Sequence, residues 1–83
     1  MTYRISIKKK AQKFINKQDR IQQIRIYKAI YKLPDGDIKL LKGYANTYRL
    51  RVGEYRIIFE WVKNEIIIDI TDADNRGEIY KNY

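Results

Sequence analysis

Residues 48–71 read YRLRVGEYRIIFEWVKNEIIIDIT, three β-rich runs separated by Gly53-Glu54 and Lys63-Asn64. Turn-forming pairs between such runs signal two-residue hairpin loops, and a two-residue loop sets the register. The first turn puts Val52 opposite Tyr55, Arg51 opposite Arg56, Leu50 opposite Ile57 and Arg49 opposite Ile58. The second, counted the same way, puts Trp61 opposite Ile66, Phe59 opposite Ile68 and Ile57 opposite Ile70. Side chains alternate between the faces of a strand. Tyr48, Leu50, Val52, Tyr55, Ile57, Phe59, Trp61, Ile66, Ile68 and Ile70 are therefore expected on one face, the core. The other face collects Arg49, Arg51 and Arg56. Like charges directly across a ladder repel, so an Arg51–Arg56 pair suits a site that receives an anion. Charged outward positions are also ordinary on a half-wet sheet, with Asp69 or Glu60 as partners, and the pattern by itself leaves both readings open.

With 83 residues, the chain is expected to form one domain over 1–83, large enough for a single core if helices cover the sheet. The net charge of +8 points to a polyanionic partner, most simply nucleic acid. Its distribution is uneven: residues 1–42 carry twelve Lys/Arg against three acids, residues 43–83 six against seven. The absence of cysteine and histidine excludes disulfides, thiolate nucleophiles, imidazole acid/base catalysis and the common zinc sites. The opening MTYRISIKKK lacks the apolar run of a secretory signal, and no apolar stretch has membrane-spanning length, so a cytoplasmic protein without membrane contact is expected.

Around the organising stretch, Tyr3 to Ile7 alternates as a short strand that would join the sheet. From Lys8 the period becomes helical, with Ala11, Phe14 and Ile15 spaced among Lys8, Lys9, Lys10, Lys13 and Lys17. These lysines form the candidate phosphate-binding face. Asp19 followed by Gln22 resembles a capping box, opening a second helix with a stripe of Gln23, Ile26, Tyr27, Ile30 and Leu33, which Pro34-Asp35-Gly36 stops. The two helices are expected as an antiparallel hairpin on the apolar face of the sheet. Ile38, Leu40 and Leu41 would plug the edge of this core. Asp72 and Asp74 ahead of Gly77 suggest a calcium loop, but its twelfth position, which needs a bidentate Glu, falls on Tyr83. No metal or other cofactor is expected, and the two acids read as turn formers or partners for Arg76. Residues 78–83 suit an edge strand, and Tyr80 lies outside the core pattern.

The run LLKGYANTYRLRVGEYRIIFEWV, the IIIDI strand that follows and an Arg-x-x-x-Tyr ending resemble the RelE/ParE superfamily of type II toxin–antitoxin toxins over nearly the whole chain. The resemblance implies an α+β fold: an N-terminal strand, a helical hairpin, then an antiparallel sheet of three to four strands. It further implies a metal-independent endoribonuclease that cuts messenger RNA in the decoding site of the small ribosomal subunit and is held silent by a cognate antitoxin. The alternative within the superfamily is a ParE-like inhibitor of DNA gyrase without nuclease activity. Carried over by position, the catalytic set is Arg56, Arg51, Arg49, Arg76 and Tyr80, with Arg56 the firmest match in the shared Tyr-Arg of the central strand. Arg49 and Arg51 stand where well-known RelE members have lysines. An arginine stays protonated past about pH 12, so neither serves readily as a general base.

Overall fold

The computed structural model describes residues 3–75. The first hairpin has the register that its turn dictates. β3 (Thr47–Val52) and β4 (Tyr55–Trp61) pair antiparallel, with Val52 opposite Tyr55, Arg51 opposite Arg56 and Leu50 opposite Ile57. Gly53 has φ +59° and no non-glycine residue among those described has positive φ, so only the first central position of this turn is left-handed. That is the II′ pattern, in which glycine belongs at the first position.

The second hairpin departs from expectation. β5 (Ile67–Asp74) pairs with β4 two residues further along, with Trp61 opposite Ile68, Glu60 opposite Asp69 and Phe59 opposite Ile70. Asn64 does not adopt the positive φ that a two-residue I′ turn needs. Instead the Glu65 amide donates to the Val62 carbonyl at 2.8 Å, closing a four-residue turn, and the strand starts later. Ile66, expected in the core, is therefore 44% exposed. A shift of two keeps side-chain parity, so Ile68 and Ile70 still face inward and are fully buried. A bulge between Ile58 and Phe59 on β4 then leaves Thr71 unpaired on β5, and beyond it Ile58 faces Asp72, Ile57 faces Ala73 and Arg56 faces Asp74. The Thr71 hydroxyl donates to the Ile58 carbonyl at 3.3 Å inside the bulge.

The remaining elements close the sheet. β1 (Arg4–Ile7) pairs parallel with β5, and β2 (Ile38–Leu40) pairs antiparallel with β3, giving the five-stranded order β1-β5-β4-β3-β2. Residues 38–40 are thus an edge strand rather than a loose plug. Helix α1 (Lys9–Asn16) packs over β5 and α2 (Arg20–Ile30) over β3. Asp19 caps α2, accepting from the Gln22 amide at 2.9 Å, and Gln12 Nε2 on α1 donates to Tyr27 Oη on α2 at 2.6 Å. Between helices and sheet, Ala11, Ile15, Ile26, Ile30 and Leu33 meet Leu50, Ile57, Phe59, Ile68 and Ile70. Trp61 packs on this cluster at its margin, edge-on to Tyr3 and tilted against Tyr48. The architecture is the α+β arrangement expected, and no helix among the described residues is long and apolar enough to cross a membrane.

The left-handed turn residue gives a direct check. A Cβ at position 53 would lie 2.9 Å from an Arg25 guanidinium nitrogen in addition to its backbone strain. Gly53→Ala should cost about 1–2 kcal/mol in urea unfolding, as a left-handed alanine does. Glu54→Ala, with ordinary φ, should change stability by less than about 0.5 kcal/mol.

Candidate nucleic-acid interface

Because helices cover one face of the sheet, the face turned away from them is free to carry charge, and strand parity decides what stands there. β3 contributes Arg49 and Arg51, β4 contributes Arg56, and the pairing of β2 adds Lys39 directly beside Arg49. Arg51 and Arg56 are register partners as the turn predicted. Arg49 Nη2 lies 3.6 Å from Asp37 Oδ1, so its acid comes from the loop before β2 rather than from Asp69 or Glu60. Arg56 Nη1 reaches back to the carbonyls of Gly53 and Tyr55 at 3.5 and 3.4 Å. Arg56 has Arg51 across from it on β3 and the carboxylate of Asp74 across from it on β5, so the two arginines are not without a counter-charge. Their guanidiniums keep donors for an outside anion.

This face is not uniformly wet. Ile58 stands on it by parity yet is fully buried, and Arg49 opposite it keeps only 15% of its side chain exposed. The arginines therefore border a dry floor, where a charge-assisted hydrogen bond is worth more than in open water. The far end of the same face is acidic: Glu60 pairs with Asp69, and a cavity of about 210 Å³ beside them also includes Glu65. A polyanion is drawn to the arginine end and repelled from the other.

Asp72 and Asp74, read as turn formers, are strand residues on β5. Asp72 is buried, caps the Ala73 amide at 2.8 Å and pairs with Lys10 Nζ at 3.0 Å. Lys10 is thus tied to the sheet at the start of α1. Lys8, Lys9, Lys13 and Lys17 are exposed. Arg76 and Tyr80, and the edge strand expected over 78–83, lie outside the described residues. Lys39 escaped the sequence reading because residues 38–41 were not recognised as a strand; the alternation of Ile38, Lys39 and Leu40 is the signal that places it on the arginine face.

No protein-family model matches the chain, and no curated protein is significantly similar to it in sequence. Solved structures are similar. A chain of the archaeal RelE–RelB complex from Pyrococcus horikoshii superposes with a TM-score of 0.73 at 27% identity, covering 93% of this chain and 98% of that one. The RelB–RelE antitoxin–toxin complex from Methanococcus jannaschii gives 0.73 at 28%, with 94% and 98% covered. Isolated E. coli RelE gives 0.73 at 17%, with 98% and 94% covered. The chain has the RelE/ParE-like toxin fold. On this RelE-like scaffold the arginine face occupies β3 and β4, the two strands whose register the first hairpin turn sets.

The repulsion built into this face is measurable. Arg51→Gln should raise stability by about 0.2–1 kcal/mol at low salt by removing a like-charged cross-strand neighbour. In about 1 M salt, where the screening length is about 3 Å, that gain should shrink towards zero. Parallel urea titrations at the two salt concentrations provide the check.

Proposed function

We propose that the chain, as one domain over residues 1–83, is the toxin of a type II toxin–antitoxin pair and an endoribonuclease that cuts messenger RNA in the ribosomal decoding site without a metal ion. The observation that carries this reading is the direct pairing of Arg51 with Arg56, beside Arg49 and Lys39, which gathers four cations on one sheet face. Similarity at 27% and 28% identity to chains of RelE–RelB complexes supports it. In the proposed reaction the ribose 2′-oxygen bonds to the adjacent phosphorus and the P–O5′ bond breaks, giving a 2′,3′-cyclic phosphate and a 5′-hydroxyl. The 2′-hydroxyl gives up its proton and the departing 5′-oxygen gains one. Negative charge gathers on the non-bridging oxygens, and preorganised guanidiniums there favour the transition state over the ground state. Arg56 holds the scissile phosphate, with Arg51 and Arg49 alongside, and the resemblance adds Arg76 and Tyr80 to the same site. The exposed lysines Lys8, Lys9, Lys13 and Lys17 serve longer-range attraction to RNA, an action that places the protein in the cytoplasm with the ribosome.

The partner follows from the same reading. Ile21 and Ile24 on α2 and Tyr31 at its C-terminal cap stand exposed, while Ile26 and Ile30 are core. An apolar stripe on so basic a chain suits a segment that is apolar along one side and acidic along the other, as expected of an antitoxin. Co-expression with the neighbouring reading frame should yield a stable complex, and high-level expression of this chain without a partner should arrest growth. A harmless, partner-free product would count against the toxin reading.

Primer extension on translated message after induction should reveal codon-phased breaks, whereas intact message with accumulating cleaved DNA would move the target to gyrase. Arg56→Ala should fold normally and lose cleavage by about 3 kcal/mol in the barrier, the scale of a lost oxyanion donor. Arg56→Lys should lose less, since it keeps the charge without the planar fork. An Arg56→Ala protein that cuts at the parent rate excludes the phosphate role.

A further inference from the structure

Gly53 does more than turn the chain. Having no side chain, it leaves room for the Arg25 guanidinium of α2, a nitrogen of which lies 2.9 Å from where a Cβ would stand. Arg56 meets the same residue through its carbonyl, at 3.5 Å from Nη1. The bare turn is therefore flanked by two guanidiniums, one from the arginine face and one from the helix layer. Arg25 is held by Nη1 donating to Gln22 Oε1 at 3.1 Å, and it has no carboxylate partner among the described residues.

Beside it lies a cleft of about 280 Å³ between α2 and the end of β3, lined by Arg25, Lys28, Lys32 and Arg51 together with Asp35 and Asp37. Arg25, Lys28 and Lys32 recur at intervals of three and four residues, so they form one row along α2 and its C-terminal turn. Arg51 belongs both to this cleft and to the arginine face, which makes the two cationic surfaces continuous. Ala29, Leu50 and Val52 share the lining with these charged groups, and of them Leu50 and Val52 are buried. Four cations against two carboxylates, continuous with the arginine face, fit a phosphodiester chain.

We propose that this cleft binds the single-stranded RNA backbone flanking the cleaved nucleotide, with Arg25 as its principal phosphate ligand. The proposal rests on the RNA-cleaving reading above and adds a second contact region to it. The strand passes from Arg56 and Arg51 over the bare Gly53 turn to Arg25 and then along the row to Lys28 and Lys32. Arg25 acts on affinity and alignment and takes no part in the bond changes.

The test uses a short single-stranded RNA with 2′-O-methyl groups on every ribose, which blocks the attacking hydroxyl, and follows binding by fluorescence anisotropy across a salt series. For single strands the slope of log K against log salt changes by about 0.7 for each phosphate contact. Arg25→Gln should flatten the slope by about that amount with an unchanged melting temperature, and Arg25→Lys should restore it. In cleavage of translated message, Arg25→Gln should raise KM and leave kcat within about twofold, as loss of uniform binding does. A wild-type slope in Arg25→Gln overturns the proposal, and if the complex with the co-expressed antitoxin weakens instead, the cleft is a protein contact. Flattening in both variants together with a lower melting temperature also overturns it, by showing a structural role. Wild-type protein that neither binds this RNA nor cuts message removes the RNA reading itself, whereas wild-type cleavage with an unaltered Arg25→Gln slope removes only the cleft.

Discussion

The Gly53-Glu54 turn is the constraint on which the rest of the molecule depends. A two-residue loop allows no slip between β3 and β4, and a slip by one residue would exchange the two faces completely. Arginines would then point into the helix layer and Leu50 and Ile57 into water. With the turn in place, Leu50 and Ile57 meet under the helices and Arg51 meets Arg56 on the open side. Core and candidate site are thus two consequences of one register. The left-handed φ of Gly53 is what makes that register available to an L-amino-acid chain.

How far the fold could be read in advance differed between the two hairpins for a physical reason. Glycine at 53 accepts the left-handed conformation at no steric cost, so the first turn was legible from two letters. Asn64 tolerates that conformation without requiring it, and here the chain took a longer turn closed by the Glu65 amide. The core survived the error because the shift was even. The bulge at Thr71 had no such protection: it reverses parity, carrying Ala73 into the core and Asp72 to the outer side, and no composition signal marks it. β2 offers only one period of alternation, Ile38-Lys39-Leu40, a weak signal beside the longer runs of β3 and β4.

The candidate site was legible where it depended on the first register and obscure elsewhere. Arg49, Arg51 and Arg56 follow from alternation alone. The dry floor made by Ile58 does not, because alternation predicts which face a residue occupies and says nothing about what lies over it. Lys39 and Arg25 join the arginines through tertiary contacts, one by strand pairing and one by helix packing over a glycine. Lys10 shows the converse: a residue that belongs to a lysine-rich helix in sequence is tied in three dimensions to a buried carboxylate. Charge counted along the chain therefore overstates α1 and understates α2.

Two like-charged pairs on one face, Arg51 with Arg56 and Glu60 with Asp69, are an uneconomical way to build a merely soluble surface, since exchanging one partner between the pairs would turn both repulsions into attractions. Their separation instead creates a field along β4. Arg56 and Glu60 are four residues apart on the same side of that strand, about 13 Å at about 3.3 Å per residue, which exceeds the screening length of about 8 Å at physiological salt. Glu60 and Asp69 therefore cancel little of the positive end's charge, and the nearer carboxylate is Asp74, across from Arg56 on β5. On the proposed reading, a phosphodiester chain held at the turn is repelled by the Glu60 end and leaves across the edge of the sheet rather than along its face. The cationic row on α2 shares a cleft with Arg51 at the end of β3, which is the physical reason that the proposed path draws on residues from the helix layer behind the sheet.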